Sequence, residues 1–445
     1  MFLKVVFMVF LTFGGTVGSI LYTPFVGVFV YYFYGVLRPQ FIWEYALPAF
    51  AWSFYPSVSA MTSVIAWRMG MWDFPTGTGP QEPTPILNIG HRSIFFFGFW
   101  ITLSFIFARH HHQAAEDVYV EYVKIFVMFY IAGRAISRVN EIWSLFLMIA
   151  LVLGYIAVEV NHIYIANNQY PLLFKRGYAG LDNNGAALML AMGIPICLSA
   201  WDGIRHWFRW VFLLFVPAII HAVLTSYSRG AMLSALVVIP IYLLRFHRRT
   251  QLLALLGAVA VAMPFMAGKE IQDRFSSIEK SEADESANSR LVSWGIAWRM
   301  ACEEPIFGFG VRNSNLYTYA YGADMEGRTI HSQWLQIAAD SGLVGAGAYI
   351  FTMLSAFWCL YRVRKLIRGH NDPEAHRIRT IAVGCESSLL LFCFGGSFLS
   401  LENFELPYLL QLLSAQLWAV CQVRRPAALV QSGLPANESA SVFHR

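Results

Sequence analysis

Uninterrupted apolar runs dominate this chain of 445 residues. The composition is 57% hydrophobic and 13% charged, and that charge is about half of what a soluble protein carries. A run of about 20 apolar residues crosses the hydrocarbon core of a bilayer as an α-helix, whereas the short alternating segments of a transmembrane barrel are absent from the sequence. The pattern predicts an all-α, polytopic membrane protein of about 12 transmembrane helices. The runs lie at 2–19, 21–37, 42–66, 94–108, 118–132, 142–158, 185–200, 209–226, 230–244, 251–267, 342–361, 380–400 and 405–421.

Short loops rich in arginine and lysine set the expected orientation, because such loops stay in the cytoplasm. "RFHRRTQ" from Arg245 and "YRVRKLIRGH" from Tyr361 are two of them, and "GRAISRVN" and "WDGIRHWFRW" fit the same side. The long polar segment between the basic loops at Arg245 and Tyr361 then lies on the outer side of the membrane. We therefore expect four parts: N-terminal transmembrane helices at 1–267, a periplasmic loop with surface helices at 268–332, C-terminal transmembrane helices at 333–423, and a cytoplasmic tail at 424–445.

Several classes of function are disfavoured by the sequence. The formal net charge is only +5, so nothing indicates a nucleic-acid partner. The six cysteines form neither a disulfide framework nor a CxxC metal motif. "RHHHQAAED" from Arg109 has three adjacent histidines, but adjacent positions diverge by about 100° on a helix and do not share a chelating face. We predict a solvated loop there and no metal site.

The segment "HSQWLQIAADSGLVG" begins at His331, where the long polar loop ends. Gln333, Gln336 and Asp340 follow at helical spacing on one face. The fully apolar stretch starts only near Gly342, so we expect the first turns to line a polar cavity or to stand clear of lipid. His331 is the candidate catalytic residue and Gln333 a candidate substrate contact; the alternative is that His331 only caps the helix at the interface.

Arginines on the outer side of the membrane oppose the usual charge bias. Arg229 opens an apolar run in "SYSRGAML", and Arg290 and Arg312 lie in the long loop. "RLVSWGIAWRMACEEP" has the apolar spacing of a surface helix that ends at Pro305. Guanidinium groups bind phosphate oxygens in pairs, so a cluster of these arginines with Arg176 would suit an anion. A salt bridge or a snorkelling side chain is the alternative for any one of them.

Three further polar residues stand beside or within apolar runs. "LDNNGAALML" places Asp182 and Asn183 just before a predicted span, where they would cap a helix or bind sugar hydroxyls. Glu386 lies inside the run that contains "GCESSLLLF". An ionisable residue at such a position is a functional candidate by default, unless a neighbouring group satisfies it.

Taken together, these motifs resemble the O-antigen ligase and polymerase superfamily, bacterial membrane glycosyltransferases that act on lipid-linked glycans. The resemblance covers the C-terminal two thirds. It includes the ligase pattern of His331, Ser332, nine residues and Gly342, arginine after serine at the start of a span, and "P-x-x-G-x-G" in the outer loop. The early "YYFYGVLRPQFIWEYAL" is similar to O-glycosylation ligases found with exosortase systems.

The resemblance implies a C-type glycosyltransferase-like helical fold without a nucleotide-sugar site, and a reaction without a metal or other cofactor. The donor would be a glycan on undecaprenyl pyrophosphate, presented among membrane lipids at the periplasmic side of the bacterial inner membrane. The acceptor would be a lipid A-core sugar, a second lipid-linked glycan or a protein. His331 would be the general base, Arg229, Arg290 and Arg312 would hold the pyrophosphate, and direct attack would invert the anomeric centre.

Other interpretations stay open at this point. A polymerase of the same superfamily, or a protein O-glycosylation ligase, would differ only in its acceptor. A polysaccharide or lipid transporter would show paired, interrupted helices in two repeated halves, and the sequence has no such symmetry. A non-catalytic assembly protein is the remaining alternative.

Overall fold

The computed structural model of the protein is helical throughout its regular parts, with an isolated bridge between Tyr178 and Leu181. It describes residues 2–43, 47, 50–75, 77–80, 87–245, 250, 253–254, 257, 282–401 and 404–431, and these contain no strand. The α-helices are α1 (Phe2–Leu21), α2 (Pro24–Leu37), α3 (Pro39–Ile42), α4 (Phe54–Arg68), α5 (Ile89–Ile106), α6 (Gln113–Ala135), α7 (Val139–Ala166), α8 (Leu172–Arg176), α9 (Asn183–Gly203), α10 (Arg209–Thr225), α11 (Arg229–Arg245), α12 (Glu282–Glu303), α13 (Ser314–Tyr317), α14 (Gln333–Leu366), α15 (Pro373–Gly395) and α16 (Glu405–Gln431).

Eight spans among the described helices are long and apolar enough to cross a bilayer: α1, α2 with α3, α5, α7, α9, α14, α15 and α16. Helices α10 and α11 are apolar but have 17 residues each, roughly 25 Å at the helical rise. The protein is thus an all-α polytopic membrane protein, as the apolar runs predict. The run at 251–267 lies mostly outside the described residues, so the number of about 12 spans stays a prediction. Helix α16 continues to Gln431, into the tail predicted from residue 424.

Helix α9 lies at the centre of the bundle, packed against α7, α10, α11 and α15. All its residues from Gly185 to Asp202 are buried, as expected of a helix that is apolar on every face. Small residues allow close approach between helices. A Cβ added at Gly193 would lie 3.1 Å from Leu153. This dense packing gives the ends of α9 a fixed position.

The ends of the helices collect on two faces of the bundle. On one face, His376 of α15 pairs with Asp202 of α9 at 3.6 Å, and Arg377 donates a hydrogen bond to Asn140 of α7 at 2.7 Å. On the opposite face, α9, α11 and α14 begin and α15 ends. The first face carries the basic segments predicted to be cytoplasmic, at 133–140, 201–210 and 361–370.

A break at Gly342 divides α14 into a short first arm and a long apolar arm. Gly342 has φ +73° and ψ 173°, a conformation that is essentially restricted to glycine. The loop at 305–310 fills the break: its N–H groups donate to the carbonyls of Ala339 and Asp340 at 2.9 and 2.8 Å, and the N–H of Leu343 donates back to it at 2.8 Å. The backbone groups released by the break are therefore satisfied within the protein, as a membrane helix requires.

Helix α12 is present where the sequence predicts a surface helix, and it is tied to the bundle at two points. Near its end, Glu303 and Glu304 accept hydrogen bonds from Arg109, at 3.0 and 2.7 Å. In its middle, the ring of Trp294 lies 6.2 Å from that of Phe398, in the connection between α15 and α16. Helix α12 and the loop that follows it are thus fastened to the face of the bundle where α14 begins.

Glu386, the candidate inside an apolar run, is paired in the structure. It forms an ion pair and a hydrogen bond with Arg364 of the neighbouring α14. Its side chain is 9% exposed and that of Arg364 is 26% exposed. A charge pair between two packed helices removes the cost of a lone carboxylate in the membrane, so Glu386 needs no role in chemistry to account for its position.

We predict that Gly342→Ala will lower the free energy of unfolding by about 1–3 kcal/mol, because alanine does not tolerate this backbone conformation. Its Cβ would also lie 2.3 Å from the carbonyl oxygen of Ile306. Thermal unfolding in detergent measures the effect. Gly347→Ala is the matched control, because its Cβ would meet no atom within 4 Å. Equal unfolding midpoints for the two variants would contradict the proposed importance of the break.

Candidate active site

A cavity of about 820 Å³ lies between α12 and the segment that leads into α14. This volume is within the range of about 300–1,000 Å³ that small-molecule sites occupy. One wall comes from α12 and the other from residues 322–331. The lining residues are Asn288, Ser289, Arg290, Val292, Ser293, Ile296, Gly322, Ala323, Asp324, Arg328 and His331. Two of the predicted site residues, Arg290 and His331, therefore share one cavity.

The backbone around His331 is fixed from several sides. The indole N–H of Trp294 donates to the His331 carbonyl at 3.0 Å, and the hydroxyl of Ser400 donates to the carbonyl of Ile330. Ser332 is the N-cap of α14, and its hydroxyl accepts from the Leu335 N–H at 3.5 Å. The half-buried imidazole lines the cavity, and no side chain among the described residues forms a hydrogen bond with it. Its ring nitrogens are thus available to a ligand.

The charges around His331 favour its neutral form. Partial burial lowers the pKa of His331 below its usual value, and the positive charges of Arg290 and Arg328 lower this pKa further. The carboxylate of Asp182, at the start of α9, raises the pKa and so acts in the opposite direction. A histidine with a lowered pKa remains a neutral proton acceptor at neutral pH.

Arg229 and Arg290 are close enough to affect each other, and we call them the arginine pair. Burial lowers the pKa of Arg290, and the positive charge of Arg229 lowers it further. Arg229 is the exposed first residue of α11, whereas Arg290 is half-buried in α12. Within the described part of the chain neither guanidinium forms an ion pair with a carboxylate. Two neighbouring cations without a counter-ion create a favourable position for an anion.

Residues at the start of α9 hold the turn that precedes Arg229. Asp182 caps α9 by accepting from the N–H of Gly185 at 2.7 Å, which agrees with the capping alternative for this residue. The side-chain amide of Asn183 donates to the carbonyl of Ser226 at 3.3 Å, just before α11. Asn183 therefore holds the turn that presents Arg229 and does not line the cavity.

The segment from residue 213 to residue 350 matches the family model described as O-antigen ligase. This part of the chain belongs to the O-antigen ligase and polymerase superfamily. Its family membership indicates a glycosyltransferase-like ligase or polymerase role, with a lipid-linked glycan and an acceptor as partners in general. A comparison with curated proteins found no match.

The O-antigen ligase segment includes Arg229, Arg290 and His331 but not Asp182. The matched segment therefore supplies both walls of the cavity and the start of α11. Asp182, which acts on His331 from α9, comes from outside this segment.

Arg176, Arg312 and Gln333 are not among the described residues that line the cavity. Arg176 is exposed at the end of α8. Arg312 has a left-handed backbone with φ +62° and interacts electrostatically with Asp340.

Gln333 is fully buried, and its side-chain oxygen accepts a hydrogen bond from the Leu401 N–H at 2.5 Å. Gln333 thus connects α14 to the α15–α16 connection, and a substrate contact for this residue stays a prediction.

The polar face predicted on α14 is real, but it faces protein. Gln336 donates to Asp340 at 2.8 Å and to the hydroxyl of Ser314 at 2.8 Å. The other carboxylate oxygen of Asp340 accepts from the Ser314 N–H at 2.9 Å. These hydrogen bonds fasten Ser314, in the segment between α12 and α14, to the first arm of α14.

The three adjacent histidines lie in the exposed connection between α5 and α6, as the loop interpretation expects. The carbonyl of His110 accepts a hydrogen bond from Asn313 at 2.6 Å. Among the described residues, no group of three His, Cys, Asp or Glu side chains is arranged to hold a metal ion.

Nine of the eleven lining residues were not predicted from the sequence. Three of the nine, Arg328, Asp324 and Ser289, are joined by an ion pair and a hydrogen bond. Arg328 is in "GRTIH", three residues before His331, and this proximity of a basic residue to the candidate histidine was the signal that could have identified it. Asp324 and Ser289 have no distinctive sequence context. Their involvement follows only from the way α12 packs beside residues 322–331.

We expect His331 to titrate below the ordinary histidine pKa of about 6.5, and two variants should shift this titration in opposite directions. Asp182→Asn should lower the pKa of His331, because it removes a negative charge while asparagine still caps α9. Arg290→Gln should raise the pKa, because it removes a positive charge. The pH dependence of diethyl pyrocarbonate modification, followed by peptide mass spectrometry, reports this pKa.

In the same samples, modification of the exposed His370 controls for the reagent. If both variants shifted the His331 titration in the same direction, the assigned electrostatic environment would be incorrect.

Proposed function

We propose that the protein transfers a glycan from undecaprenyl pyrophosphate to an acceptor hydroxyl, with a lipid A-core sugar as the favoured acceptor. The reaction would take place at the periplasmic face of the inner membrane, invert the anomeric centre and need no metal ion. The observation that carries the proposal is that Arg290 and His331 line one cavity, with Arg229 close enough to Arg290 to lower its pKa. Arg229 itself is not among the lining residues, and neither arginine has a carboxylate partner among the described residues. The match of residues 213–350 to the O-antigen ligase family supports the reaction class.

The arginine pair would bind the pyrophosphate of the donor. Arg229 is at the start of the apolar helix α11, so its guanidinium is at an end of the bundle rather than in its apolar middle. A donor with a lipid tail in the bilayer presents its pyrophosphate at that level. Two fixed guanidinium groups would also stabilise the negative charge that develops on the leaving phosphate, and such preorganised donors are most effective where water is excluded.

His331 would act as the general base. The acceptor oxygen attacks the anomeric carbon and forms the new glycosidic bond, while its proton passes to the imidazole. The bond between the anomeric carbon and the phosphate oxygen breaks, and its electron pair leaves with the pyrophosphate. The lowered pKa of His331 supports this role because the imidazole is then already neutral when the acceptor arrives.

The distribution of charge supports a periplasmic site. The basic segments at 133–140, 201–210 and 361–370 are at the opposite face of the bundle from the start of α14. Basic loops of this kind remain in the cytoplasm. The cavity would then open on the periplasmic side, where the same superfamily receives its lipid-linked donor.

We predict that His331→Ala will reduce transfer by about 10²–10⁴-fold, the usual contribution of a positioned base, and leave donor binding unchanged. Purified protein in lipid nanodiscs, an undecaprenyl pyrophosphate-linked glycan and lipid A-core test this prediction in the presence of a chelator. His370→Ala, at an exposed position, is the matched control. Undiminished transfer by His331→Ala would overturn the assignment of the base. Lengthening of the lipid-linked glycan instead of transfer to lipid A-core would identify a polymerase.

We predict that Arg229→Gln and Arg290→Gln will each weaken donor binding by about 10-fold or more, because a hydrogen bond to a charged group contributes about 1.5–3 kcal/mol. Binding of the donor is measured directly by the quenching of tryptophan fluorescence. Arg312→Gln serves as the comparison, because Arg312 interacts with Asp340 and is not among the charges that act on Arg290 or His331. Donor affinity that is lost only in Arg312→Gln would place the pyrophosphate elsewhere.

A further inference from the structure

Arg328 differs from the arginine pair because its charge is balanced within the cavity. Its guanidinium lies 3.3 Å from the carboxylate of Asp324 and donates a hydrogen bond to the hydroxyl of Ser289. The Arg328 side chain is 25% exposed and that of Asp324 is 69% exposed. Both side chains line the cavity together with His331. Asp324, Arg328 and Ser289 form what we call the polar wall.

The polar wall is suited to an uncharged, hydroxyl-rich ligand. A guanidinium already paired with a carboxylate attracts a second anion less than the arginine pair does, because its charge is largely compensated. The same pair offers N–H donors and carboxylate acceptors side by side, which matches neighbouring sugar hydroxyls that both donate and accept. Gly322 and Ala323, beside Asp324, leave space for such a ligand.

His331 lies near both the arginine pair and the polar wall. The charge of Arg229 lowers the pKa of Arg290, and the charges of Arg290 and Arg328 both lower the pKa of His331. In a direct displacement the attacking hydroxyl and the leaving phosphate lie on opposite sides of the anomeric carbon. If the pyrophosphate is at the arginine pair, the acceptor must approach His331 from another part of the cavity, and the polar wall supplies charged and hydroxyl groups that line the same cavity as His331.

We propose that Asp324 and Arg328 form the acceptor subsite, where they bind hydroxyls of the acceptor glycan and orient one hydroxyl toward His331. The proposal rests on the proposed glycosyl transfer. A lipid A-core sugar and a second lipid-linked glycan share this hydroxyl chemistry, and the acceptors used in the experiment distinguish them. The two residues are specificity and positioning groups, while His331 alone takes the proton.

The test compares wild type, Asp324→Asn, Arg328→Lys and Glu326→Gln in nanodiscs. KM is measured for each acceptor at saturating donor, and for the donor at saturating acceptor. Asp324→Asn and Arg328→Lys should raise the acceptor KM by about 10-fold or more, as expected for lost hydrogen bonds to charged groups, and should leave the donor KM within about 2-fold. Glu326→Gln is the matched control, because this exposed residue of the same segment is not among the cavity-lining residues.

Two outcomes would overturn the proposal. A rise in the donor KM with an unchanged acceptor KM would assign Arg328 to the pyrophosphate. Unchanged KM values for both substrates, or equal effects in Glu326→Gln, would make the polar wall a structural feature. The acceptor whose KM responds, lipid A-core or lipid-linked glycan, identifies the source of the sugar.

A binding measurement separates this inference from the proposed function. Saturation-transfer NMR with delipidated core oligosaccharide, and with the oligosaccharide released from the donor lipid, requires no transfer. If wild-type protein transfers no glycan but binds one oligosaccharide, and Asp324→Asn loses that binding, the subsite stands and the reaction fails. If wild-type protein binds neither oligosaccharide, the subsite is overturned whether or not transfer occurs.

Discussion

The break at Gly342 is the constraint on which the site depends. A membrane helix that is interrupted must satisfy the released N–H and C=O groups within the protein. Here the loop at 305–310 supplies the hydrogen-bond partners of these groups. Beside it, the carboxylate of Asp340 accepts a further hydrogen bond from the N–H of Ser314. The outer loop is therefore part of the bundle at this point, and the cavity between α12 and the start of α14 inherits a fixed geometry.

The arginines of the protein differ in whether a carboxylate balances their charge. Arg364 is paired with Glu386 within the bundle, and Arg109 with two glutamates at its surface. Arg229 and Arg290 have no such partner within the described residues. Their mutual repulsion makes the unliganded state less stable locally and gives an anion a larger gain on binding. The charge of Arg328 is balanced by Asp324, so Arg328 does not create the same position for an anion.

The sequence predicted what depends on local pattern. Apolar runs indicated helices such as α7 and α9, and the spacing of Gln333, Gln336 and Asp340 indicated the polar first turns of α14. It could not predict pairings between distant residues. Gln333 has the spacing of a residue on a polar face, but its hydrogen bond with the Leu401 N–H depends on tertiary packing that the local pattern does not reveal. The hydrogen bond between Arg328 and Ser289 of α12 likewise depends on tertiary packing.

The N-terminal helices lie outside the O-antigen ligase segment, but Arg38 at the end of α2 contacts the turn that precedes α9. Arg38, which ends "YYFYGVLR", donates to the carbonyl of Ala179 at 3.0 Å. Ala179 lies in the tight turn between α8 and α9 and has a left-handed backbone with φ +54°. That turn leads directly to Asp182, whose charge opposes the effect of the arginines on the pKa of His331. The hydrogen bond from Arg38, at the end of α2, thus stabilises the turn that leads to Asp182, a charge that acts on the proposed base.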